Sequence, residues 1–166
     1  MMDVIHVTVA AIIRKDNQYL LVKEKSSQGE IVYNQPAGHV ELEESLIDGI
    51  IREVREETGL DFIPGALTGT YLLSTATNGK TYLRFCFVGD IPLNQVPSPI
   101  DPDIIENVWM TAEEIFDLPL KSLRSGLVLK CLQDYLKGIR IPLESLNFSN
   151  DEFQMIDRCI KDFKKS

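Results

Sequence analysis

The sequence has few cysteines and no long apolar run, and each shortage argues against a class of protein. Its three cysteines, Cys86, Cys131 and Cys159, are far apart and have no C-x-x-C spacing, which argues against a disulfide framework and a zinc knuckle. We therefore expect buried free thiols. No stretch approaches the ~18 apolar residues of a membrane span, and residues 1–10 lack the features of a secretion signal. These patterns predict a cytoplasmic protein with no membrane partner.

Basic residues are also in short supply. The chain has 17 lysines and arginines against 25 aspartates and glutamates, and its formal net charge is −8. This balance disfavours capture of DNA, RNA or an anionic membrane, so we expect no nucleic-acid partner. If the ligand is a polyphosphate, a divalent cation is needed to screen the repulsion between ligand and protein.

Length and composition are those of an ordinary globular protein. The 166 residues are 44% apolar and 25% charged, which is enough for one hydrophobic core without metal or disulfide support. We expect one domain over residues 1–166, in which residues 148–166 form a helical C-terminal extension. Apolar residues of this extension recur every three or four positions, which predicts a packed helix. They are Phe153, Ile156, Ile160 and Phe163.

Strand and helix patterns can be placed along the rest of the chain. Residues 4–13 are β-branched and almost continuously apolar, as in a central strand buried on both faces. The dipeptide Asn78-Gly79 is a strong hairpin signal between two strand-like runs. Further strands are predicted at residues 19–22, 31–33, 71–75, 81–88 and 108–110. Helices are predicted at residues 45–58, from residue 111 onward and at residues 123–135.

The segment of residues 45–58 is the clearest helix. Ser45 and Asp48 can form its N-terminal cap, and Gly59 can end it. At about 100° per residue, four apolar side chains fall on one arc that must pack on the sheet. They are Leu46, Ile50, Ile51 and Val54.

Three glutamates form a stripe beside that arc. Glu53, Glu56 and Glu57 have i, i+3 and i+4 spacing, so their like charges repel. A solvated acidic face is the plainer explanation. However, the stripe borders the apolar arc, which places Glu57 near the protein body, and Gly49 on the same stripe suggests that a backbone or ligand approaches closely. Three carboxylates without histidine or cysteine suit Mg²⁺ or Mn²⁺ rather than Zn²⁺.

The segment around this helix resembles a known motif. Residues 38–60, GHVELEESLIDGIIREVREETGL, match the Nudix box G-x5-E-x7-R-E-U-x-E-E-x-G-U at every fixed position. These positions are Gly38, Glu44, Arg52, Glu53, Glu56, Glu57 and Gly59, with apolar Val54 and Leu60. The chain therefore resembles the Nudix hydrolase superfamily. The resemblance implies an α/β fold, an α/β/α sandwich with a mixed β-sheet and a loop–helix–loop motif, and an enzyme that hydrolyses diphosphate linkages.

The resemblance also implies roles for individual residues. The metal ligands are expected to be Glu53, Glu56, Glu57 and the main-chain carbonyl of Ala37. Glu44 and Arg52 are expected to brace the loop against the helix and to orient the ligands. A metal-activated water attacks phosphorus in this superfamily. The general base varies among its members: Glu57 is the first candidate here. The later-loop residues Asp103 and Glu106 are further candidates, and a solvated loop explains those two equally well.

A closer resemblance, to the bacterial NudJ-type phosphatases, covers most of the chain up to about Leu146. It is carried by HVTVA at residues 6–10, NQPAGH at 34–39, LRF at 83–85, Trp109 with TAEE at 111–114, LRS at 123–125 and PLE at 142–144. It implies small-molecule diphosphate substrates: thiamine pyrophosphate, hydroxymethylpyrimidine pyrophosphate and nucleoside di- and triphosphates. A Nudix enzyme for oxidised nucleotides or ADP-ribose, or a sensing module without turnover, are the alternatives. Both a monomer and a homodimer remain open.

Three residues outside the box are candidates for substrate binding. Gln35 can hydrogen-bond a base or pyrimidine edge, or it can hold the loop instead. Arg84, in the middle of a strand, can clamp a phosphate or lie on an exposed sheet face. Lys23 can serve similarly, although a solvated lysine is the plainer explanation. We expect His6 to be a hydrogen-bonded core histidine and His39 to touch the metal site or shape the loop.

Overall fold

The computed structural model describes residues 4–26, 28–74, 76 and 78–165, which form a mixed sheet with helices on both faces. The strands are β1 (Ile5–Lys15), β2 (Gln18–Lys25), β3 (Ile31–Asn34), β4 (Ala37–His39), β5 (Ile63–Leu73), β6 (Thr81–Asp90), β7 (Ile104–Thr111) and β8 (Ile141–Pro142). The helices are α1 (Leu46–Thr58), α2 (Ala112–Phe116), α3 (Leu127–Leu136) and α4 (Glu152–Phe163), and short 3₁₀ turns cover Leu120–Ser122 and Leu143–Ser145.

Strand β1 lies at the centre of the sheet. The strand order is β3-β2-β1-β6-β5-β8, while β4 pairs with β1 and β7 pairs with β2. The pairing of β1 with β6 is parallel and its pairings with β2 and β4 are antiparallel. Both faces of the sheet are covered at β1. Its side chains from Val9 to Ile13 are therefore buried, as the apolar run predicts.

Different helices cover the two faces of the sheet. On one face, Ile50 and Val54 of α1 pack into a core that includes Val9 and Leu20. On the other face, α2 and α3 cover a second core, to which Val128 contributes. This arrangement is the predicted three-layer α/β sandwich. No helix among the described residues is long and apolar enough to cross a membrane.

Some predicted boundaries and burials are wrong. Strand β5 begins at Ile63 rather than at residue 71, because two register shifts in its pairing with β6 obscure the alternating pattern. Residue 75, its predicted end, lies outside the described residues. Helix α3 begins at Leu127 rather than at residue 123, because Arg124 N donates to the carbonyl of Tyr33 at 2.9 Å. Ile51 is exposed, at the edge of the α1 arc.

The C-terminal segment shows the largest departure. Helix α4 forms where it is predicted, and the Asp151 side chain caps its N-terminus. The expectation that it packs is wrong, because none of its residues is buried. Helical spacing of apolar residues fixes an apolar face but does not fix what covers it. The thiols of Cys86 and Cys131 are free and buried, as expected, whereas Cys159 on α4 is exposed.

Candidate active site

Helix α1 is fixed at both ends by local sequence. The Ser45 side chain accepts a hydrogen bond from Asp48 N at 3.0 Å, and Gly59 ends the helix with φ of 69°, a backbone conformation that favours glycine. Between these caps, Ile50 and Val54 are fully buried against the sheet. They set the rotation of the helix, so the neighbouring glutamate stripe lies at the boundary between core and solvent.

Two of the three stripe glutamates are buried. Glu53 is 9% exposed and Glu57 is 5% exposed, whereas Glu56 is about half exposed. Burial raises the pKa of the Glu57 carboxyl to about 9, and the nearby Glu24 and Glu53 contribute to the rise. Burial also raises the pKa of Glu53, although Arg52 opposes the rise. A buried carboxylate in this situation is stabilised by a nearby cation.

Strand β4 lies directly against these carboxylates. Glu57 Oε2 accepts a hydrogen bond from Ala37 N at 2.8 Å. A Cβ atom at Gly38 would overlap the Glu53 carboxyl group, so any other residue here would displace that carboxylate. The main chain around Ala37 and the two buried glutamates are thus adjacent, in line with the ligand set that the motif predicts.

Arg52 connects the helix to the loop before it. Its Nε and Nη2 donate to the two Glu44 carboxylate oxygens at 2.7 and 3.0 Å, and Nη2 also donates to His39 O at 3.0 Å. Its Nη1 donates to Glu53 at 2.8 Å and to Glu56 at 3.2 Å. These hydrogen bonds raise the pKa of Arg52 and lower that of Glu44. Such bidentate geometry supports the predicted bracing role.

Glu44 also explains the mid-helix glycine. A Cβ atom at Gly49 would lie 3.0 Å from Glu44 Oε2. The close approach that Gly49 indicates is therefore made by the carboxylate of the brace, and neither a backbone nor a ligand is needed to account for it.

The residues present fit a divalent cation by their chemistry. Among the described residues, no three acidic, histidine or cysteine side chains form a group arranged to hold a metal ion. Instead, Arg52 binds Glu53 and Glu56, while Glu57 is held by Ala37 N. The available donors are hard oxygens, two of them on buried carboxylates with raised pKa, and such donors suit Mg²⁺ or Mn²⁺.

A further carboxylate that the sequence analysis missed faces this site. Glu24, on β2, accepts from Asn34 Nδ2 at 3.3 Å and lies 3.7 Å from Arg124 Nε. Burial raises the pKa of Glu24, and Arg124 opposes the rise. One signal for it was available: Glu24 shares strand parity with Leu20, whose side chain packs with α1, so the Glu24 side chain starts on the face that α1 covers.

The buried polar residues beneath α3 form a second part of the site. Gln35 Nε2 donates to the Val128 carbonyl at 2.7 Å, and Gln35 Oε1 accepts from Arg84 Nη1 at 3.3 Å. Arg84 is only 6% exposed, and it forms no ion pair with an Asp or Glu among the described residues. Thr8 pairs with Arg84 in the β1·β6 register. A buried arginine without a carboxylate partner is a candidate anion site.

Four buried polar atoms have no hydrogen-bond partner among the described residues. They are Thr8 Oγ1, Asn34 Oδ1, Arg84 Nε and Asn107 Oδ1. Three of them belong to residues that neighbour the groups above: Asn34 binds Glu24, Asn107 Nδ2 donates to Glu57 O at 3.0 Å, and Arg84 binds Gln35. Unsatisfied buried polar atoms are rare and are typical of ligand sites.

The remaining candidates are exposed or have other partners. Lys23 Nζ lies 3.6 Å from the exposed Glu106 carboxylate. Asp103 is exposed, and its main-chain N binds the side chain of Asp101 at 2.8 Å. Of these two aspartates it is Asp101 whose charge raises the pKa of Glu57.

The two histidines occupy the rim of β1 and β4. The His6 ring lies 5.3 Å from the rings of His39 and Tyr82, so it makes aromatic contacts at a half-buried position. Burial lowers the pKa of His39, and His6 adds to this effect. A neutral His39 beside Gly38 fits the expectation that it shapes the loop.

Comparison with known proteins finds one family model and several proteins similar to this chain. A family model described as NUDIX domain matches residues 4–130. Proteins named phosphatase NudJ, from Escherichia coli strain K12 and from Shigella flexneri, are each 37% identical to the chain over 150 residues, covering 89% of this chain and 94% of theirs.

Solved structures agree with this grouping. A NUDIX hydrolase from Nitrosomonas europaea has 43% sequence identity and a TM-score of 0.80, covering 87% of this chain and 97% of that one. The MutT protein from Methanosarcina mazei Go1 has 25% identity and a TM-score of 0.65, covering 84% of this chain and 95% of its own.

Proposed function

The chain belongs to the NUDIX family of hydrolases, and on this premise we propose that it hydrolyses small diphosphate compounds with Mg²⁺ as its cofactor, which Mn²⁺ can replace. The proposed substrates are thiamine pyrophosphate, hydroxymethylpyrimidine pyrophosphate and nucleoside di- and triphosphates. The similarity to phosphatase NudJ supports a phosphatase-type activity.

One observation carries the proposal: α1 buries Glu53 and Glu57 side by side against β4, with the pKa of both raised by burial. Together with Glu56 and the Ala37 carbonyl, they are the residues that would hold the cation. A divalent ion held by these residues would activate water and would neutralise negative charge on the departing phosphate. The net charge of −8 adds to the need for such a cation when a polyphosphate approaches.

In this proposal Arg52 and Glu44 position the carboxylates that hold the cation. The bidentate pair between them at 2.7 and 3.0 Å holds the guanidinium, whose Nη1 then fixes the Glu53 and Glu56 carboxylates. Preorganised ligands lose little freedom when the substrate arrives. In this scheme Arg52 acts through the glutamates and touches no reacting atom.

Glu57 is our proposed general base. With a pKa of about 9 it holds a proton at neutral pH, and a cation nearby favours its ionised form. Asp103 stays an alternative base, but its exposure and the position of Asp101 favour Asp101 as the loop carboxylate nearer the site. In either case the base takes a proton from the attacking water.

Substrate binding is assigned to the buried polar residues on the opposite face of the sheet and to the rim. Arg84, with its unsatisfied Nε, suits a phosphate oxygen, and Gln35 fixes the direction of its guanidinium. Lys23 is the proposed rim cation, because its bond to the exposed Glu106 is long and exchangeable. Glu24 and Arg124 are assigned to the part of the substrate beyond the diphosphate.

The test is phosphate release from a panel with Mg²⁺, Mn²⁺ or a chelator. The panel contains thiamine pyrophosphate, hydroxymethylpyrimidine pyrophosphate, nucleoside di- and triphosphates and ADP-ribose. We expect turnover of the first three classes, none with chelator, and loss of turnover in Glu57→Gln but not in the exposed control Glu144→Gln. Turnover of ADP-ribose alone would reassign the substrate, and binding without turnover would favour a sensing module.

A further inference from the structure

Three aromatic side chains meet at one end of the central strands. The His6 ring lies 5.3 Å from the rings of both His39 and Tyr82, and the rings of His39 and Tyr82 are 6.3 Å apart. The three residues belong to β1, β4 and β6, respectively. We call them the aromatic cluster. Because each of them is held on a strand, the sheet fixes their relative positions.

The cluster lies on the face of the sheet that α3 covers. Along β1, Val9 packs into the core under α1, and Ala10 packs into the core under α3. Side chains alternate between the two faces along a strand, so His6 is on the same face as Ala10. The register pairs His6 with Tyr82, and side chains paired across two strands share a face.

The cluster is accessible from solvent. His6 and Tyr82 are half-buried, and His39 is exposed. The Tyr82 hydroxyl accepts a hydrogen bond from Asn78 Nδ2 at 2.8 Å, but no hydrogen bond joins either imidazole to another of the described residues. Aromatic faces together with imidazole nitrogens that lack such a partner suit a planar ring that carries polar atoms.

Two buried polar atoms lie next to the cluster on the same face. Thr8 follows His6 by two residues on β1, and Arg84 follows Tyr82 by two residues on β6, so each is about 6.6 Å farther along the sheet. Thr8 and Arg84 are both 6% exposed, and neither Thr8 Oγ1 nor Arg84 Nε has a hydrogen-bond partner among the described residues. Buried polar atoms are costly without a partner, so these two indicate a ligand beside the rings.

Strand β4 connects the cluster to the candidate cation site. Gly38 meets the Glu53 carboxyl group of α1, while the next residue, His39, carries its ring to the other face of the sheet. Ala37, whose carbonyl is a proposed ligand of the cation, is two residues from His39 and therefore about 6.6 Å away along the strand. A ring that is joined to a diphosphate by a short linker can span that distance.

We propose that the aromatic cluster binds the planar heteroaromatic ring of the diphosphate substrate, and that Thr8 Oγ1 hydrogen-bonds a polar atom on the edge of that ring. The inference rests on the proposed function, because it takes the diphosphate to lie at the α1 carboxylates. It makes His6, His39, Tyr82 and Thr8 residues that select substrates with a ring. A purely structural packing of the three rings would leave the unsatisfied atoms of Thr8 and Arg84 unexplained.

The first test does not depend on turnover. His6 and His39 are the two histidines of the chain, so the histidine ring signals in its NMR spectra come from the cluster alone. At constant pH, hydroxymethylpyrimidine monophosphate and cytidine monophosphate should shift both signals in a saturable manner, because a stacked ring changes the ring current at each imidazole. Ribose 5-phosphate, which has a phosphate but no aromatic ring, is the matched control. Equal shifts with this control, or no shift with the ring compounds at millimolar concentrations, overturn the proposal.

The second test measures selectivity for a ring. The quantity is the ratio of kcat/KM for hydroxymethylpyrimidine pyrophosphate to kcat/KM for an alkyl diphosphate, which has no ring. Tyr82→Leu and His39→Leu should each lower this ratio about 2–10-fold through KM, whereas Tyr82→Phe, which keeps the ring, should preserve it. The control is Phe116→Leu, at an exposed aromatic residue of α2.

An unchanged ratio in both leucine variants overturns the proposal, and a lower melting temperature without a change in the ratio would show that the rings only pack. If the wild type hydrolyses neither diphosphate, the proposed function fails, and the NMR titration still decides whether the cluster binds a ring.

The third test separates a ligand contact of Thr8 from a packing role. Valine is close to threonine in shape but lacks the hydroxyl, so Thr8→Val should raise KM for the pyrimidine substrate about 2–10-fold without lowering the melting temperature. The matched control is Thr68→Val. Thr68 Oγ1 already donates to the Cys86 carbonyl at 3.3 Å, so this variant should lose stability and keep its KM. An unchanged KM in Thr8→Val contradicts the role of Thr8.

Discussion

Helices α1 and α4 have almost the same length, 13 and 12 residues, and both are amphipathic, yet α1 buries charged side chains whereas α4 exposes apolar ones. α1 buries its apolar arc and also two carboxylates, Glu53 and Glu57. None of the α4 residues is buried, and five of its large apolar side chains are exposed. Each helix thus departs from the ordinary distribution of polar and apolar groups, in opposite directions.

The buried carboxylates of α1 indicate what kind of ligand their site requires. Buried carboxylates with raised pKa, such as Glu53 and Glu57, indicate a missing positive charge. Asp134 on α3 provides the contrast within the same molecule: it is buried, but Lys130 donates to both of its oxygens at 2.6 and 2.7 Å, and Tyr71 donates at 3.0 Å. Its partner is already present in the chain.

We expect the largest effect on activity from substitution of Glu57, a buried glutamate of α1. Glu57→Gln should lower kcat/KM by about 10²–10³-fold, or roughly 2.7–4 kcal/mol, because an ionised ligand and base is lost. Thermal stability without added metal should stay the same or rise, because the variant removes a carboxyl that is costly to ionise when buried. Rates and melting temperatures measured on the same samples check both. A fall in stability would mean that Glu57 is structural.

The apolar faces of the two helices should differ in their contribution to folding. Ile50→Ala in α1 should cost about 2–5 kcal/mol of unfolding free energy, because the side chain is fully buried. Ile160→Ala in α4 should change it by less than about 0.5 kcal/mol, because this side chain is 48% exposed. Urea unfolding measures the two values, and equal losses would show that α4 packs on its own chain.

The brace around α1 should be sensitive to geometry as well as charge. Arg52→Lys keeps the positive charge but loses the bidentate pair with Glu44, so we expect a loss of about 10–100-fold in kcat and a weaker apparent affinity for Mg²⁺. Steady-state kinetics with metal titration separates the two. The control is Arg55→Lys, an exposed arginine of the same helix that pairs with Asp61. A wild-type rate in Arg52→Lys would exclude the positioning role.

We expect the smallest effect from substitution of Asp134, whose carboxylate is paired with Lys130. The hydrogen bonds from Lys130 keep the pKa of Asp134 below its ordinary value near 3.9. Because the unfolded chain binds this proton more readily, the stabilisation is present above pH ~4 and is lost as the pH falls through the folded-state pKa. Asp134→Asn should therefore cost about 1 kcal/mol at pH 7, allowing for screening at half-exposed Lys130, and less in acid. Denaturant unfolding at several pH values measures the difference; a pH-independent difference would contradict this account.

Sequence patterns predicted much of the sheet and the α1 segment, and their failures have identifiable causes. The strand around Thr81 and the helix from Ser45 follow from turn and cap residues, which act within a few positions. The early start of β5 was missed because two register shifts interrupt its alternation. The start of α3 was misplaced because Arg124 pairs with Tyr33, which lies far away in the chain.

In the candidate site, too, residues in local patterns were found and residues brought together by long-range packing were missed. The box glutamates were found because helical periodicity is local, and Gly38 and Arg52 because their motif is contiguous. Glu24 and Arg124 were missed because about a hundred residues separate them, and only the packing of the chain beside β3 brings them together. Arg84 was identified as a candidate, but its burial beside Gln35 could not be deduced from its strand.

Sequence alone determined the order of the ligands on α1, the caps of that helix and the apolar spacing on α4, since each depends on residues within a few turns of one another. Tertiary structure decided which groups lose contact with water. It placed Glu57 against Ala37 and Arg84 beneath α3, and it left apolar side chains of α4 exposed. Burial depends on every element that packs around a residue, so it is a property of the folded chain and not of any one segment.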